Sequence, residues 1–198
     1  MIAKRLFDLF FVIPGLVLLS PIFLVISLLI KRDDNGPVLF KQERVGLNGR
    51  PFKVLKFRTM VVDAEKQGAK VTMGGDSRIT QTGQWLRKYK IDELPQLINV
   101  LKGEMSLVGP RPEVPEYVAF YSEQQKKTVL SVLPGITDIA SIEFRNENDL
   151  LVGSRDPIKD YKEKILPIKI AYYEEYVLKR SLWLDFKIIF KTMYVIVC

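Results

Sequence analysis

Residues 9–30 read LFFVIPGLVLLSPIFLVISLLI, 22 consecutive residues without a charge, and no other feature limits the fold of this chain so strongly. A straight helix of that length crosses the ~30 Å hydrocarbon core of a bilayer, so the segment is expected to be a membrane element. The run is too long for a cleaved leader, and no small-residue cleavage site precedes Lys31-Arg32-Asp33-Asp34, so it is expected to stay in the mature protein. Basic residues flank both ends, Lys4 and Arg5 before and Lys31 and Arg32 after. The charge bias that assigns one end to the cytoplasm is thereby absent, and both ends can be cytoplasmic. Pro21 removes a backbone hydrogen bond in mid-segment and favours a bend that the Ser20 hydroxyl can relieve. These residues leave two topologies open, a kinked transmembrane helix and a re-entrant helix-break-helix hairpin.

The remaining chain is short. With 198 residues in all, 47% of them apolar, it supports one compact domain and one appended segment. There is no His, which removes His-based acid/base catalysis and nearly every zinc or non-haem iron site. The one cysteine is Cys198 at the chain end, so there is no disulfide framework and no thiol nucleophile in a pocket, in keeping with a reducing cytoplasmic compartment. Catalysis falls to carboxylates, Lys, Arg, Tyr or Ser. The formal net charge of +7 asks for an anionic partner: nucleic acid, lipid headgroups or phosphorylated substrates.

After a turn-rich exit at Asp33-Asp34-Asn35-Gly36-Pro37, residues 38–40 and 52–57 read as strands around Asn48-Gly49, a small β-hairpin. Residues 61–82 read as a helix followed by a mobile loop with Gly74-Gly75-Asp76-Ser77. A helix is expected to start near Asp92, since Pro95 is acceptable only in a first turn. Leu94, Leu97, Ile98 and Leu101 then share one buried face, and Lys102-Gly103 ends it. Loops are expected at Pro134-Gly135 and at 153–157. A helix over 161–176 and an amphipathic one over 181–197 follow, the latter with Trp183, Phe186, Ile189, Phe190 and Tyr194 opposite Lys187 and Lys191; it suits a membrane interface or a core.

Adjacent acidic residues usually mark a solvated helix start, and Asp92-Glu93 on its own reads that way. The neighbours suggest more. A helix N-terminus keeps a carboxylate ionised and attracts phosphate, and an ionised Asp92 is a competent nucleophile. Arg87, Lys88 and Lys90 lie upstream, Arg111 lies in Gly109-Pro110-Arg111-Pro112, and Lys56 and Arg58 lie in Lys56-Phe57-Arg58-Thr59-Met60. Such cations are what diphosphate recognition requires.

Five segments, in order, carry a resemblance: Lys4-Arg5-Leu6-Phe7-Asp8 with Ser20-Pro21; residues 37–46; Lys56 to Met60; residues 91–100 with 106–112; and Pro134-Gly135-Ile136-Thr137. Together they cover nearly the whole chain, and on them the chain resembles the small monotopic phosphoglycosyl transferases of the bacterial sugar transferase family. The resemblance implies an α+β, mostly α fold: a re-entrant membrane hairpin over 1–32 broken at Ser20-Pro21, and a catalytic domain over 33–198 with a small β-hairpin and interfacial amphipathic helices. The active site would lie at the cytoplasmic face of the bacterial inner membrane. The resemblance also implies a catalytic dyad of Asp92 and Glu93. Asp92 would attack the β-phosphorus of a UDP-sugar, giving an aspartyl phosphosugar and UMP, and undecaprenyl phosphate would then displace the Asp. Mg²⁺ is expected as the cation that offsets carboxylate–diphosphate repulsion, with Asp92 and Glu93 as its protein contacts. Arg87, Arg111, Lys56 and Arg58 are the phosphate-binding candidates.

The sugar is expected to be an N-acetylated hexosamine or deoxy derivative, with glucose or galactose as the alternative, and the choice between monomer and homodimer is open. Two departures stand out: residues 137–145 read TDIASIEFR where many members read differently, and Tyr173, followed by Glu174 and Glu175, stands where many members carry Asp. A membrane-anchored scaffold that binds anionic lipid or nucleic acid explains the charge but not the co-occurring motifs, and no basic-aromatic nucleic-acid motif is present. A single hydrophobic segment excludes the polytopic class of phosphosugar transferases.

Overall fold

The computed structural model describes residues 2–64, 76–144 and 156–197. Helix α1 (Ile2–Asp34) contains the whole apolar run, with Pro14 and Pro21 inside it. The expected break at Ser20-Pro21 is not an interruption: the backbone stays helical across it. A local reason is visible. Pro21 has no N–H for the carbonyl of Val17, four residues back, and the Ser20 hydroxyl donates to that carbonyl at 2.8 Å.

One stripe of α1 is buried along its length. Asp8, Val12, Ile26 and Ile30 are buried, with Leu16 and Phe23 packed against the same clusters, a helical spacing that keeps them on one side. Phe10, Val17, Leu18, Leu24, Val25 and Leu28 on the other sides are exposed. Both ends are tied to the same folded body. At the start, Arg5 donates to the carbonyls of Val100 (2.5 Å) and Leu101 (2.8 Å), and Lys4 bridges Asp8 (3.3 Å) and Asp185 (2.8 Å). At the end, Asp34 pairs with Arg58 and Asp33 accepts from Thr82 at 3.0 Å.

The expected hairpin is present as β1 (Leu39–Val45) antiparallel to β2 (Pro51–Phe57), with Leu39 opposite Phe57 and Val45 opposite Pro51. Asn48 and Gly49 take positive φ in its turn, as the tight reversal requires. The helix expected early in 61–82 falls largely on residues outside those described; the described flanks pair through Met60 and Ile79, and helix α2 (Gln81–Lys88) follows with Thr80 as its N-cap.

Helix α3 is Gln96–Lys102, closed by Gly103 at φ 81°. It starts four residues later than expected, and Asp92 and Glu93 lie instead in a 3₁₀ turn, Ile91–Glu93. The expected apolar face is also corrected: Leu101 is 42% exposed and Gln96, Asn99 and Val100 are buried. The cause is a polar tether. Asn99 accepts from the Leu55 amide (2.9 Å) and donates to the Lys53 carbonyl (2.9 Å) and to Glu104 (2.7 Å), fastening α3 to β2. Asn99→Ala leaves a buried amide and carbonyl unpaired and should cost about 2–3 kcal/mol. The expected readout is a melting temperature lower by roughly 4–12 °C, measured by thermal unfolding in detergent.

A second strand pair was not anticipated from the sequence. Strand β3 (Ser106–Val108) runs parallel to β4 (Gly135–Thr137). Three short helices complete this part of the chain: α4 (Pro115–Val118), beside β1, α5 (Glu123–Val129), and α6 (Ile139–Glu143), whose Ile139 and Ile142 pack beside Val108 of β3. Then α7 (Pro157–Asp160) passes through a π turn, Tyr161–Ile165, into α8 (Leu166–Lys179), and α9 (Leu182–Val197) ends the described chain. In α9 the aromatic face is the outer one, with Trp183, Phe190 and Tyr194 exposed, while Ile188 and Asp185 are buried.

Candidate active site

Lys56 at the end of β2, the turn holding Asp92 and Glu93, and the Gly109-Pro110-Arg111-Pro112 loop after β3 meet at one place. Glu93 is the centre of the contact. Its Oε1 accepts from Lys56 Nζ at 2.7 Å and from an Arg111 terminal N–H at 2.5 Å, and its Oε2 accepts from the other Arg111 nitrogen at 3.3 Å. Burial alone would push the Glu93 carboxyl up, but Arg111 and Lys56 outweigh it and hold it well below the usual carboxylate range. Reciprocally, Glu93 lifts the Arg111 guanidinium well above its ordinary value. Burial lowers Lys56 against the pull of Glu93.

Asp92 is the opposite case. It is 8% exposed, and its Oδ1 is buried without a hydrogen-bond partner among the described residues. Burial raises its pKa and the charge of Glu93 adds to the rise, while Lys56, Arg87 and Lys90 pull it down. The carboxyl was expected at the N-terminus of α3; it lies instead in the 3₁₀ turn ahead of that helix, and among the described residues no backbone N–H is bonded to its Oδ1. Cations alone favour its charged form. Lys90, with φ 55°, turns the chain into this position.

Among the phosphate-binding candidates, the fold brings Lys56 and Arg111 onto Glu93 itself. Arg87 donates from Nε to Thr59 Oγ1 at 2.8 Å, and its electrostatic coupling to Asp92 places it at the same site. Arg58 goes elsewhere: it is 7% exposed, pairs with Asp34 at the end of α1 and fills the space that a Gly36 side chain would need. Its role in the structure is to anchor α1. Ser20 and Pro21 lie on the exposed side of α1.

Behind Arg111 lies a buried array that sequence reasoning missed. Glu113 pairs with Lys169 at 3.3 Å and Arg44 at 3.8 Å and accepts from the Tyr161 hydroxyl at 3.1 Å. Arg44 also donates to the Pro112 carbonyl at 3.0 Å, and the Val45 amide donates to the Glu113 carbonyl at 3.0 Å. The loop that carries Arg111 is thus pinned just after it. Glu113 follows Arg111 by two positions in a motif already singled out, which is the signal that could have found it. Asp138 caps α6 through Ser141, and Tyr173 is a core residue whose buried hydroxyl has no hydrogen-bond partner among the described residues.

Carboxylates suit a hard, oxygen-preferring cation. Both Glu93 oxygens are taken by Lys56 and Arg111, and the oxygen free for such an ion is on Asp92. Among the described residues no group of three or more metal-ligating side chains occurs, so a cation here would draw the rest of its shell from substrate oxygens and water.

The profile of the family described as Bacterial sugar transferase matches residues 1–198. The chain is similar to an undecaprenyl-phosphate glucose phosphotransferase of Komagataeibacter xylinus, 42% identical over 199 residues covering 98% of this chain and 35% of that protein. A UDP-N-acetylgalactosamine-undecaprenyl-phosphate N-acetylgalactosaminephosphotransferase of Aeromonas hydrophila is 38% identical over 192 residues, 96% of this chain and 42% of its own. A putative undecaprenyl-phosphate N-acetylgalactosaminyl 1-phosphate transferase of Bacillus subtilis is 44% identical over 134 residues, 68% of this chain and 70% of its own. The chain spans less than half the length of the first two relatives.

Proposed function

This chain belongs to the bacterial sugar transferase family, and on that premise we propose that it transfers a sugar phosphate from a UDP-sugar to undecaprenyl phosphate at the cytoplasmic face of a membrane. The observation that carries the reading is the division of labour in the dyad: Glu93 is locked between two cations while Asp92 keeps a buried, unpartnered oxygen beside them. A carboxylate that is poorly solvated when ionised is a stronger nucleophile than one bathed in water.

In the proposed reaction an Asp92 oxygen attacks the β-phosphorus, the bond from that phosphorus to the bridging oxygen breaks, and UMP leaves with the electron pair. The resulting acyl phosphate is then attacked by an oxygen of the polyprenyl phosphate, which is already ionised at neutral pH, and Asp92 departs as carboxylate. No strong general base is needed. Arg111, Lys56 and Arg87 hold the phosphate oxygens and offset the charge that builds up on them. Mg²⁺, held by Asp92 and the substrate, would supply further charge neutralisation.

Membrane residence is supported by α1, the described helix long and apolar enough to cross a bilayer. A helix with both ends tied to one catalytic body favours entry and exit on the same side, the re-entrant arrangement. The outward aromatic face of α9 suits the same interface.

The test is UMP release from a panel of UDP-sugars with undecaprenyl phosphate and Mg²⁺. Turnover with one donor identifies the sugar; none from well-folded protein, with salt-sensitive binding to anionic lipid instead, would replace the enzyme by a membrane scaffold. The double substitution Arg87→Gln with Arg111→Gln is expected to lower UMP formation about 100-fold, and unchanged turnover would remove both from the phosphate site.

A further inference from the structure

The way Glu93 is held has an unusual composition. One oxygen of a single carboxylate receives both a lysine and an arginine, at 2.7 and 2.5 Å, and the guanidinium spans both oxygens. That is the donor arrangement that arginine and lysine offer a phosphate group. On Glu93 itself two positive groups share one carboxylate and repel each other, Arg111 working with burial to depress Lys56, while the Asp92 carboxyl beside them makes no hydrogen bond to either.

Three other cations of this region are engaged elsewhere, Arg58 with Asp34, Arg44 with Glu113 and Arg87 with Thr59, and Lys90 acts on Asp92 rather than on Glu93. Lys56, Glu93 and Arg111 remain partly open to solvent, with side-chain exposures of 20%, 16% and 28%. An anion approaching Asp92 can reach them.

We infer that Glu93 is an internal stand-in for substrate: its carboxylate occupies the place of a phosphate oxygen between Lys56 and Arg111, and a diphosphate binds by exchange, taking both cations from it. A diphosphate carries more negative charge than a carboxylate and neutralises the pair more completely, so the exchange runs forward for diphosphates and poorly for singly charged anions. Glu93 in this role is a positioning and specificity residue: it keeps two like charges at phosphate spacing and sets a threshold of charge for entry. The identity of the anion rests on the transferase reading; the exchange itself does not.

The test titrates inorganic diphosphate into the full-length protein in detergent with EDTA, by calorimetry, for wild type, Glu93→Asp and Glu93→Gln, with melting curves to verify folding. Glu93→Asp keeps the charge but withdraws it by one methylene, so it separates occupancy from simple like-charge repulsion. It is expected to bind diphosphate about tenfold tighter than wild type, a shift in affinity of roughly 1.4 kcal/mol, with Glu93→Gln at least as tight. Equal or weaker binding by Glu93→Asp overturns the inference and means that the anion uses spare N–H groups while Glu93 stays in place. If either variant fails to fold, wild type labelled with ¹³C-glutamate decides the matter by infrared difference spectroscopy: a shifted carboxylate band on adding diphosphate is expected, and an unchanged band overturns the exchange. UDP-sugar turnover by the same wild-type preparation tests the reaction separately, so failure of one reading is distinguishable from failure of the other.

Discussion

Asp92→Asn is expected to reduce UMP release by about 1000-fold or more, the scale for removing a nucleophile, and at the same time to raise the melting temperature at neutral pH. Glu93→Gln is expected to lower it. The opposite signs follow from the environments of two neighbouring carboxyls. Burial and the adjacent Glu93 raise the folded-state pKa of Asp92. Its contribution to stability is then fully present below its unfolded value, near 3.9, and is lost as pH rises through the raised folded value. At neutral pH the ionised form is a cost that a neutral amide relieves.

For Glu93, Arg111 and Lys56 overcome burial and depress the folded pKa well below the unfolded one. Its stabilisation is present above about pH 4.3 and is lost on acidification through the depressed value. Each change should amount to roughly 1–3 kcal/mol, or about 2–12 °C. Thermal unfolding of both variants beside wild type, with UMP release on the same samples, checks the pair. A destabilised Asp92→Asn would mean that this carboxyl has a partner in the folded protein. The acid limb of the rate profile should also begin above the ordinary carboxylate range, because turnover needs Asp92 ionised.

Gly135→Ala should be strongly damaging for a change of a single methyl group. A Cβ at Gly135 would lie 2.1 Å from the Gly109 amide nitrogen, 2.4 Å from its carbonyl oxygen and 2.7 Å from its Cα. These are backbone atoms, so no rotamer change relieves the contact. The strands must separate, which breaks the bonds from Gly135 N to Pro110 O (2.9 Å) and from Gly109 N to Thr137 O (3.1 Å). Overpacking of this kind typically costs about 1–3 kcal/mol, and lost ladder bonds add to it. A melting temperature lower by about 6–15 °C is expected. Pro110 precedes Arg111, so the guanidinium loses its alignment with Glu93, and UMP formation should fall together with stability. Gly15→Ala is the control. Nothing lies within 4 Å of that position on α1, and alanine favours helix, so unfolding and turnover should be unchanged or slightly improved. Equal tolerance at the two sites would show that the β3–β4 crossing does not hold the loop.

What was legible in the sequence follows from how local each signal is. The hairpin could be read because Asn48-Gly49 and its flanking apolar runs are contiguous. The long apolar helix α1 declared itself by its uncharged run of residues alone. Asp92, Glu93, Arg87, Lys56 and Arg111 were found through motifs, and the fold gathers them. The β3–β4 pair was not legible, since three residues on each side joined by a long connection leave no periodic trace and the pairing depends on two glycines far apart in sequence. Apolar spacing likewise misjudged α3, where Asn99 is buried because its amide fits backbone groups of β2. Arg58 was assigned to phosphate together with Lys56 in one short motif, yet it lies just past the end of β2 and meets Asp34 at the end of α1.

Helix α1 is packed along one side from Asp8 to Ile30 and pinned at both ends by Arg5 and Arg58. A spanning helix is stretched between two water layers and responds to the thickness of its bilayer by tilting or by distorting the lipid around it. In the proposed re-entrant arrangement a helix rooted at both ends in one protein body would have no far side to reach, so acyl-chain length would not be a dimension it has to match. What it fixes is height. On the proposed function, Asp92 would lie at a set level above a single leaflet, where an isoprenoid carrier would present its headgroup by lateral diffusion, and the search between enzyme and acceptor would reduce from three dimensions to two.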